Sequence, residues 1–186
     1  MAAGGGNIKV KDIFAKESGD ASMLAYFKSL GLDENYKAPT DDERVVVIKQ
    51  FEVIFQDGTE PIVLKFETPA EIEAAKKQVV TIKEGCNFKF RVTFRVQHEI
   101  VLGFKIHSKV AKMGKTIAKD TEMLGTYAPS VDFKTIEVPR NEWTEAPSGA
   151  MARGEYKSTM IFTDDDQEKG KKHPHLNFEY KLKIGK

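Results

Sequence analysis

The chain has 186 residues, of which 40% are hydrophobic and 31% charged, and its net charge is +1. These values fit one globular domain with a tail, or two very small domains, and they exclude a strong overall attraction to nucleic acid or anionic lipid. No apolar run approaches the ~20 residues that span a bilayer, and the first residues lack an apolar signal core. A single cysteine, Cys86, excludes an intramolecular disulfide. We therefore expect a cytoplasmic protein.

Residues 1–43 are expected to form a flexible, partly helical N-terminal arm. Apolar residues inside it recur at the spacing of one helix face, and Gly31 follows them as an end signal. A helix of about eleven residues is marginal alone in water, so it must dock on its own domain or on a partner. Residues 35–43 have the composition of a linker. The residues of the apolar face are Met23, Tyr26, Phe27 and Leu30.

From residue 44 to residue 186 the sequence changes to strands. A β-branched and aromatic run ends at Asp57-Gly58, which is the strongest short hairpin signal, and a return strand follows. The segment Thr68–Lys77 is compatible with a short helix or with a long loop. The predicted strands of this part are Val45–Phe55, Pro61–Phe66 and Val79–Lys83.

The clearest pattern lies between Phe88 and Gln97, where apolar and polar residues alternate with a period of two. Such alternation predicts a half-buried strand of an antiparallel sheet. The tail from Leu176 to Ile184 repeats the pattern, and Leu102–Val110 is a further strand. Many short strands separated by turn signals predict a sandwich or a barrel. The apolar faces suit either a packed core or a ligand cavity between sheets, and periodicity does not separate the two.

Candidate catalytic and metal-binding motifs are incomplete. Met113-Gly114-Lys115-Thr116 resembles the end of a phosphate-binding loop, but position 109, where that motif needs glycine, is lysine, so a hairpin turn is the better interpretation. His173 and His175 lack a second ligand pair at a zinc-like spacing. Nothing marks Cys86 as an activated nucleophile. We therefore expect no catalytic residues, no metal and no cofactor.

Three consecutive acidic residues, Asp164, Asp165 and Asp166, follow the apolar run at Met160–Phe162. Their spacing lacks the alternation and the glycine of a calcium-binding loop. Two interpretations stay open on the residues alone. They form a solvated turn, or exposed carboxylates at a strand end accept hydrogen bonds from a docking protein.

Taken together, five motifs resemble the Rho GDP-dissociation inhibitor family. The coverage is good from about Val79 to the C-terminus, and it is weaker but in order from Val45. The matching stretches are FRVQHEIVLG (Phe94–Gly103), MLGTYAP (Met123–Pro129), EAPSGAMARGEY (Glu145–Tyr156), FTDDD (Phe162–Asp166) and HLNFEYKLKI (His175–Ile184).

The resemblance implies an all-β, immunoglobulin-like β-sandwich and no enzymatic activity. It also implies binding to a GDP-bound, prenylated Rho-type small GTPase in the cytoplasm, with no nucleic acid and no stable membrane insertion. The sandwich would open between its sheets to hold the geranylgeranyl lipid. The arm would order into helices against the GTPase switch regions and slow GDP release. The alternative is a general prenyl-binding chaperone on the same sandwich, like the phosphodiesterase delta subunit, without an effect on GDP release.

The resemblance also implies site residues. Asp164 is expected to serve the turn itself, and an exposed Asp166 is expected to contact the GTPase. Family members usually have two tryptophans where this chain has Phe178 and Tyr180. The implied GTPase-binding residues are Asp20, Tyr26, Asp165 and Asp166, and the implied prenyl-binding residues are Val80, Phe88, Ile100, Met151, Phe178 and Tyr180.

Overall fold

The fold was taken from a computed structural model, which describes residues 8–9, 21–33, 35–168 and 173–186. Strands make up 53% of the structure and helices 11%, and the strands form two sheets. The predicted all-β sandwich is confirmed, while the immunoglobulin-like strand order remains a prediction. Among the described residues, no helix has the length and apolar character needed to cross a membrane.

Within the described residues the strands form eleven segments, of which the first belongs to the arm. They are β1 (Ile8–Lys9), β2 (Val46–Phe55), β3 (Ile62–Lys65), β4 (Val79–Lys83), β5 (Asn87–Val96), β6 (Glu99–Lys112), β7 (Lys115–Tyr127), β8 (Lys134–Val138), β9 (Thr144–Glu145), β10 (Gly154–Thr163) and β11 (Leu176–Gly185).

One sheet has the order β1-β6-β10-β11-β4, with β7 also paired to β6, and the other has the order β3-β2-β5-β8, with β9 also paired to β5. The pairs are antiparallel except for β11 and β4, where Leu182 lies opposite Val80. The hairpin predicted at Asp57-Gly58 is confirmed by the pairing of β2 with β3. Gly58 has a φ of +80°, which its missing Cβ permits.

The core lies between the two sheets and is filled unevenly. At one end four aromatic rings pack together, with centroid distances of 5.0 Å for Phe94 and Phe104 and 4.9 Å for Phe94 and Tyr127. Phe162 joins them at 6.2 Å from Phe104. Toward the other end the rings of Phe88 and Phe90 are only half-buried. A second aromatic cluster lies at this other end, with centroid distances of 4.5 Å for Phe66 and Phe178 and 4.9 Å for Phe51 and Phe90.

The first helix, α1 (Ala21–Ser29), is docked on the sandwich. It ends in a Schellman motif, in which Leu32 N–H donates to Phe27 O at 3.1 Å and Gly31 N–H donates to Lys28 O at 2.9 Å. Gly31 supplies the required φ of +88°. Phe27 and Leu32 are buried together against Ile100 and Ala128, so the predicted helix docks on its own domain.

The second helix, α2 (Pro69–Lys77), begins with a capping box. Thr68 Oγ1 accepts from Glu71 N–H at 3.2 Å, and the Glu71 carboxylate accepts from Thr68 N–H at 3.0 Å. Of the two alternatives that the sequence left open for Thr68–Lys77, the structure shows the short helix, which this reciprocal pair caps.

The third helix, α3 (Asp165–Glu168), is a single turn that follows β10 directly. It lies beside β6, so the aspartates are held at the end of the six-stranded sheet where α1 also docks.

Candidate functional site

A cavity of about 220 Å³ lies between the two sheets, at the end of the core that holds Phe88 and Phe90. Both sheets supply its walls, and most of the lining is apolar. Apolar walls with a few polar groups are the usual form of a small-molecule site. The lining residues are Ile82, Ile106, Ser108, Val110, Asp120, Glu122, Ser158, Met160, Tyr180 and Leu182 from one sheet, and Phe88, Phe90, Val138, Pro139 and Thr144 from the other side.

The polar groups of the cavity with shifted pKa values, Tyr180 and Glu122, come from β11 and β7. Burial raises the pKa of Tyr180 to about 12, and its hydroxyl is hydrogen-bonded with Ser158. Burial also raises the pKa of Glu122, and the charges of Asp120 and Glu142 add to that shift. The protonated phenol of Tyr180, together with a Glu122 carboxyl group whose charged form is disfavoured, suits a weakly hydrated ligand.

Two of the six predicted prenyl-binding residues, Phe88 and Tyr180, line this cavity. Phe178 lies behind it, stacked on Tyr180 at 5.5 Å and packed on Phe66 at 4.5 Å. Val80 is fully buried in the main core. The lipid-binding roles of all four stay predictions.

Ile100 and Met151 are placed away from the cavity. Ile100 is buried beneath α1, because β6 shifts register between Val101 and Phe104 and thereby exchanges its two faces. Met151 is 94% exposed in the loop between β9 and β10. The prenyl-binding roles that the resemblance implies for Ile100 and Met151 stay predictions.

Asp164 is fully buried and has two structural tasks. Its Oδ1 atom accepts from the backbone N–H groups of Asp166 and Gln167, both at 2.9 Å, and so caps α3. Its Oδ2 atom lies 2.9 Å from His175 Nε2, and the His175 side chain is only 4% exposed. The expectation that Asp164 serves the turn is confirmed.

Asp165 presents its carboxylate at the surface of the same turn. Its Oδ1 atom accepts from Lys105 Nζ at 3.0 Å, and the Asp165 side chain remains 45% exposed. The backbone of Gly103 lies directly beneath, since a Cβ at that position would be 2.7 Å from Asp165 Oδ2. Asp165 is thus positioned from two sides while part of it stays open to a partner.

Asp166 differs from the sequence expectation, because it is buried rather than exposed. It lies in the first turn of α3, and its exposed fraction is 5%. The one-residue step from Asp165 turns its side chain into the protein, so a contact with a GTPase would require this turn to change.

Tyr26 projects from α1 and is 47% exposed, while the adjacent Phe27 is buried. Their ring centroids are 5.7 Å apart. Asp20 lies outside the described residues. Tyr26 and Asp165 therefore lie near the same end of β6. The helix that carries Tyr26 packs on Ile100, and Asp165 pairs with Lys105.

Several contributors were missed by the sequence analysis. Lys105 and His175 were not recognised as partners of the aspartates, since no local signal joins residues sixty or eleven positions apart. Leu182 and Phe90 had a usable signal, because each shares a strand face with a predicted residue, Tyr180 and Phe88 respectively. The cavity residues of β7 had none.

Comparison with known proteins agrees with these features. A family model described as RHO protein GDP dissociation inhibitor matches residues 2–186. A Rho GDP-dissociation inhibitor of Schizosaccharomyces pombe is 37% identical over 151 residues, covering 80% of this chain and 70% of that protein. Rho GDP-dissociation inhibitor 1 of Rattus norvegicus is 31% identical over 177 residues, covering 95% and 81%. A Dictyostelium discoideum protein whose name carries the same term is 34% identical over 180 residues, covering 97% and 88%.

A match over nearly the whole chain, together with the sandwich and its motifs, places the protein in a class of GTPase regulators. The chain belongs to the Rho GDP-dissociation inhibitor family. Membership supports regulation of Rho-family GTPases by direct binding.

Proposed function

We propose that this protein sequesters the geranylgeranyl tail of a GDP-bound Rho-type GTPase, extracts the GTPase from membranes and slows its GDP release. The observation that supports this most is the apolar cavity between the sheets. On this proposal the protein acts in the cytoplasm as a binding protein and not as an enzyme. Residues 1–43 act as the regulatory arm and residues 44–186 as the prenyl-binding sandwich.

The cavity must enlarge to take such a lipid. Its volume of about 220 Å³ is below the ~300–1,000 Å³ of ordinary ligand sites. The half-buried Phe88, Phe90 and Leu182 are the wall residues with room to move. Burying a long isoprenoid supplies roughly 10 kcal/mol gross, at about 0.8 kcal/mol per CH₂.

A membrane offers the same gain, so extraction needs a second contact with the GTPase. Linking two binding sites raises the effective concentration of the second partner. Tyr26 and Asp165, at the other end of β6 from the cavity, are suited to this contact because both are partly exposed on ordered elements. If Tyr26 and Asp20 bind the switch in its GDP arrangement more tightly than in other arrangements, GDP release slows.

Blocking the cavity tests the lipid half of the proposal. Ser108→Phe places a large ring on the cavity wall of β6, and we expect at least a tenfold loss of affinity for a fluorescent geranylgeranyl-cysteine peptide. Lys109→Phe, on the opposite face of the same strand, is the matched control and should bind as the unmodified protein does. Equal affinities for all three proteins would remove the cavity from the lipid site.

Removing the arm tests the proposed inhibition of GDP release and distinguishes it from the general prenyl-binding chaperone. Deleting residues 1–43 is expected to abolish the slowing of mantGDP release while lipid-peptide binding is retained. Tyr26→Ala makes the same test with the fold intact, because this side chain is 47% exposed. Its thermal unfolding should be unchanged.

A general prenyl-binding chaperone remains the second candidate, since none of the arm residues that the structure describes lines the cavity. That function predicts full cargo binding and no effect on nucleotide release, with or without the arm.

A further inference from the structure

The hairpin that joins β6 and β7 carries an exposed apolar tip. Met113 and Gly114 form the two-residue turn, with φ values of +50° and +77°. Such turns favour asparagine or aspartate at the first position, so a methionine there is conformationally costly. Met113 is 98% exposed, and Ile117 on the following strand is 56% exposed. The tip therefore exposes apolar side chains to water, and it places one of them, Met113, at a turn position that disfavours it.

A second exposed methionine is tied to the same end of the molecule. Lys112, the last residue of β6, donates from Nζ to Met151 O at 2.7 Å and to Arg153 O at 3.0 Å. These bonds fix the loop that carries Met151, which is 94% exposed, beside the base of the hairpin. Met113, Ile117 and Met151 thus belong to one surface, here called the hairpin tip.

The hairpin itself is positively charged although the whole chain is nearly neutral and Glu155 lies nearby. The stretch from residue 109 to residue 119, KVAKMGKTIAK, contains four lysines and no acidic residue. Lys109, Lys115 and Lys119 are exposed. Exposed apolar residues flanked by lysines are the composition of surfaces that bind the interface of an anionic bilayer.

The position of the hairpin tip also fits a lipid surface. Ser108, Val110 and Asp120, just inside the hairpin, line the cavity. Lys105, the partner of Asp165, lies eight residues before Met113, or roughly 26 Å along an extended strand. Contact at the tip therefore leaves the GTPase-facing end free.

We propose that the hairpin tip docks on anionic phospholipid surfaces, with Met113, Ile117 and Met151 at the interface and Lys115 and Lys119 on the headgroups. The docking is peripheral. Its use, delivery of a prenyl chain to the nearby cavity, rests on the proposed function, but the docking itself requires no GTPase.

The test is co-sedimentation of the full chain, without GTPase, with vesicles of phosphatidylcholine alone or mixed with phosphatidylserine. We expect at least about tenfold stronger partition onto the mixed vesicles, weakened by added salt because the attraction is screened. Met113→Glu and the double variant Lys115→Glu/Lys119→Glu should each abolish most of this preference. Met123→Glu is the matched control, since Met123 is 54% exposed elsewhere on β7.

Equal partition onto both vesicle types, or equal loss in Met113→Glu and Met123→Glu, would overturn the docking and leave the tip as a contact for protein. Inhibition of GDP release from detergent-solubilised prenylated GTPase is measured on the same variants and should not change. If the unmodified protein binds the mixed vesicles but does not slow GDP release, the proposed function is rejected and the docking is kept. If it slows GDP release but does not prefer the mixed vesicles, the docking is rejected and the proposed function is kept.

Discussion

Asp164→Ala is expected to lower the free energy of unfolding by roughly 2–4 kcal/mol, because it removes a helix cap and leaves a buried hydrogen-bonding group unsatisfied. The carboxylate is fully buried, caps α3 and lies 2.9 Å from His175 Nε2. Its removal leaves His175 and two backbone N–H groups without this acceptor. Urea denaturation followed by circular dichroism measures the change.

Asp165→Ala is the matched comparison for that experiment. Its ion pair with Lys105 is half open to solvent, and such pairs contribute only ~0–1 kcal/mol. A similar loss of unfolding free energy in both variants would show that Asp164 is not the aspartate that stabilises the turn. GTPase affinity should instead fall in Asp165→Ala, because its open carboxylate faces the proposed partner.

Gly103→Ala is expected to damage both stability and GTPase binding. Gly103 has a φ of +63°, and a Cβ there would lie 2.7 Å from Asp165 Oδ2. The strained backbone and the displaced carboxylate together should cost roughly 1–3 kcal/mol of stability. GTPase affinity should fall at least about tenfold, since Asp165 loses its position beside Lys105.

Gly58→Ala provides the control, because Gly58 has a similar φ of +80° and nothing lies within 4 Å of an added Cβ. It should lose stability through backbone strain and keep its affinity. Isothermal titration of prenylated GTPase distinguishes the two variants. An unchanged affinity in Gly103→Ala would show that the position of Asp165 does not matter for binding.

The sequence predicts most of the strands that have one buried face, although only the apolar end of β10 was recognised, and it misses β7. Phe88 to Val96 alternate because β5 packs one side on the core. In β7 the stretch from Lys115 to Thr121 is exposed on both faces, so it offers no hydrophobic period to read. The same reason hides Asp120 and Glu122, which border the cavity while remaining polar.

Local patterns also do not reveal which apolar residues surround a cavity. Val80 and Tyr180 both alternate toward the interior, yet Tyr180 lines the cavity while Val80 is packed in the core. For Ile100 the register shift in β6 reverses the face. Asp165 and Asp166 are identical in sequence context, and only the turn of α3 separates an open carboxylate from a buried one.

The Schellman motif that closes α1 has a thermodynamic consequence for encounter with a partner. A helix this short, if it ordered only on binding, would lose its full conformational entropy at that moment. In the unbound protein Phe27 and Leu32 already pack the helix on Ile100. Part of the conformational entropy is therefore lost during folding rather than on association. A preorganised arm should therefore bind with a smaller unfavourable entropy than a disordered one. Phe27→Ala should shift the calorimetric signature of association toward a larger entropic penalty.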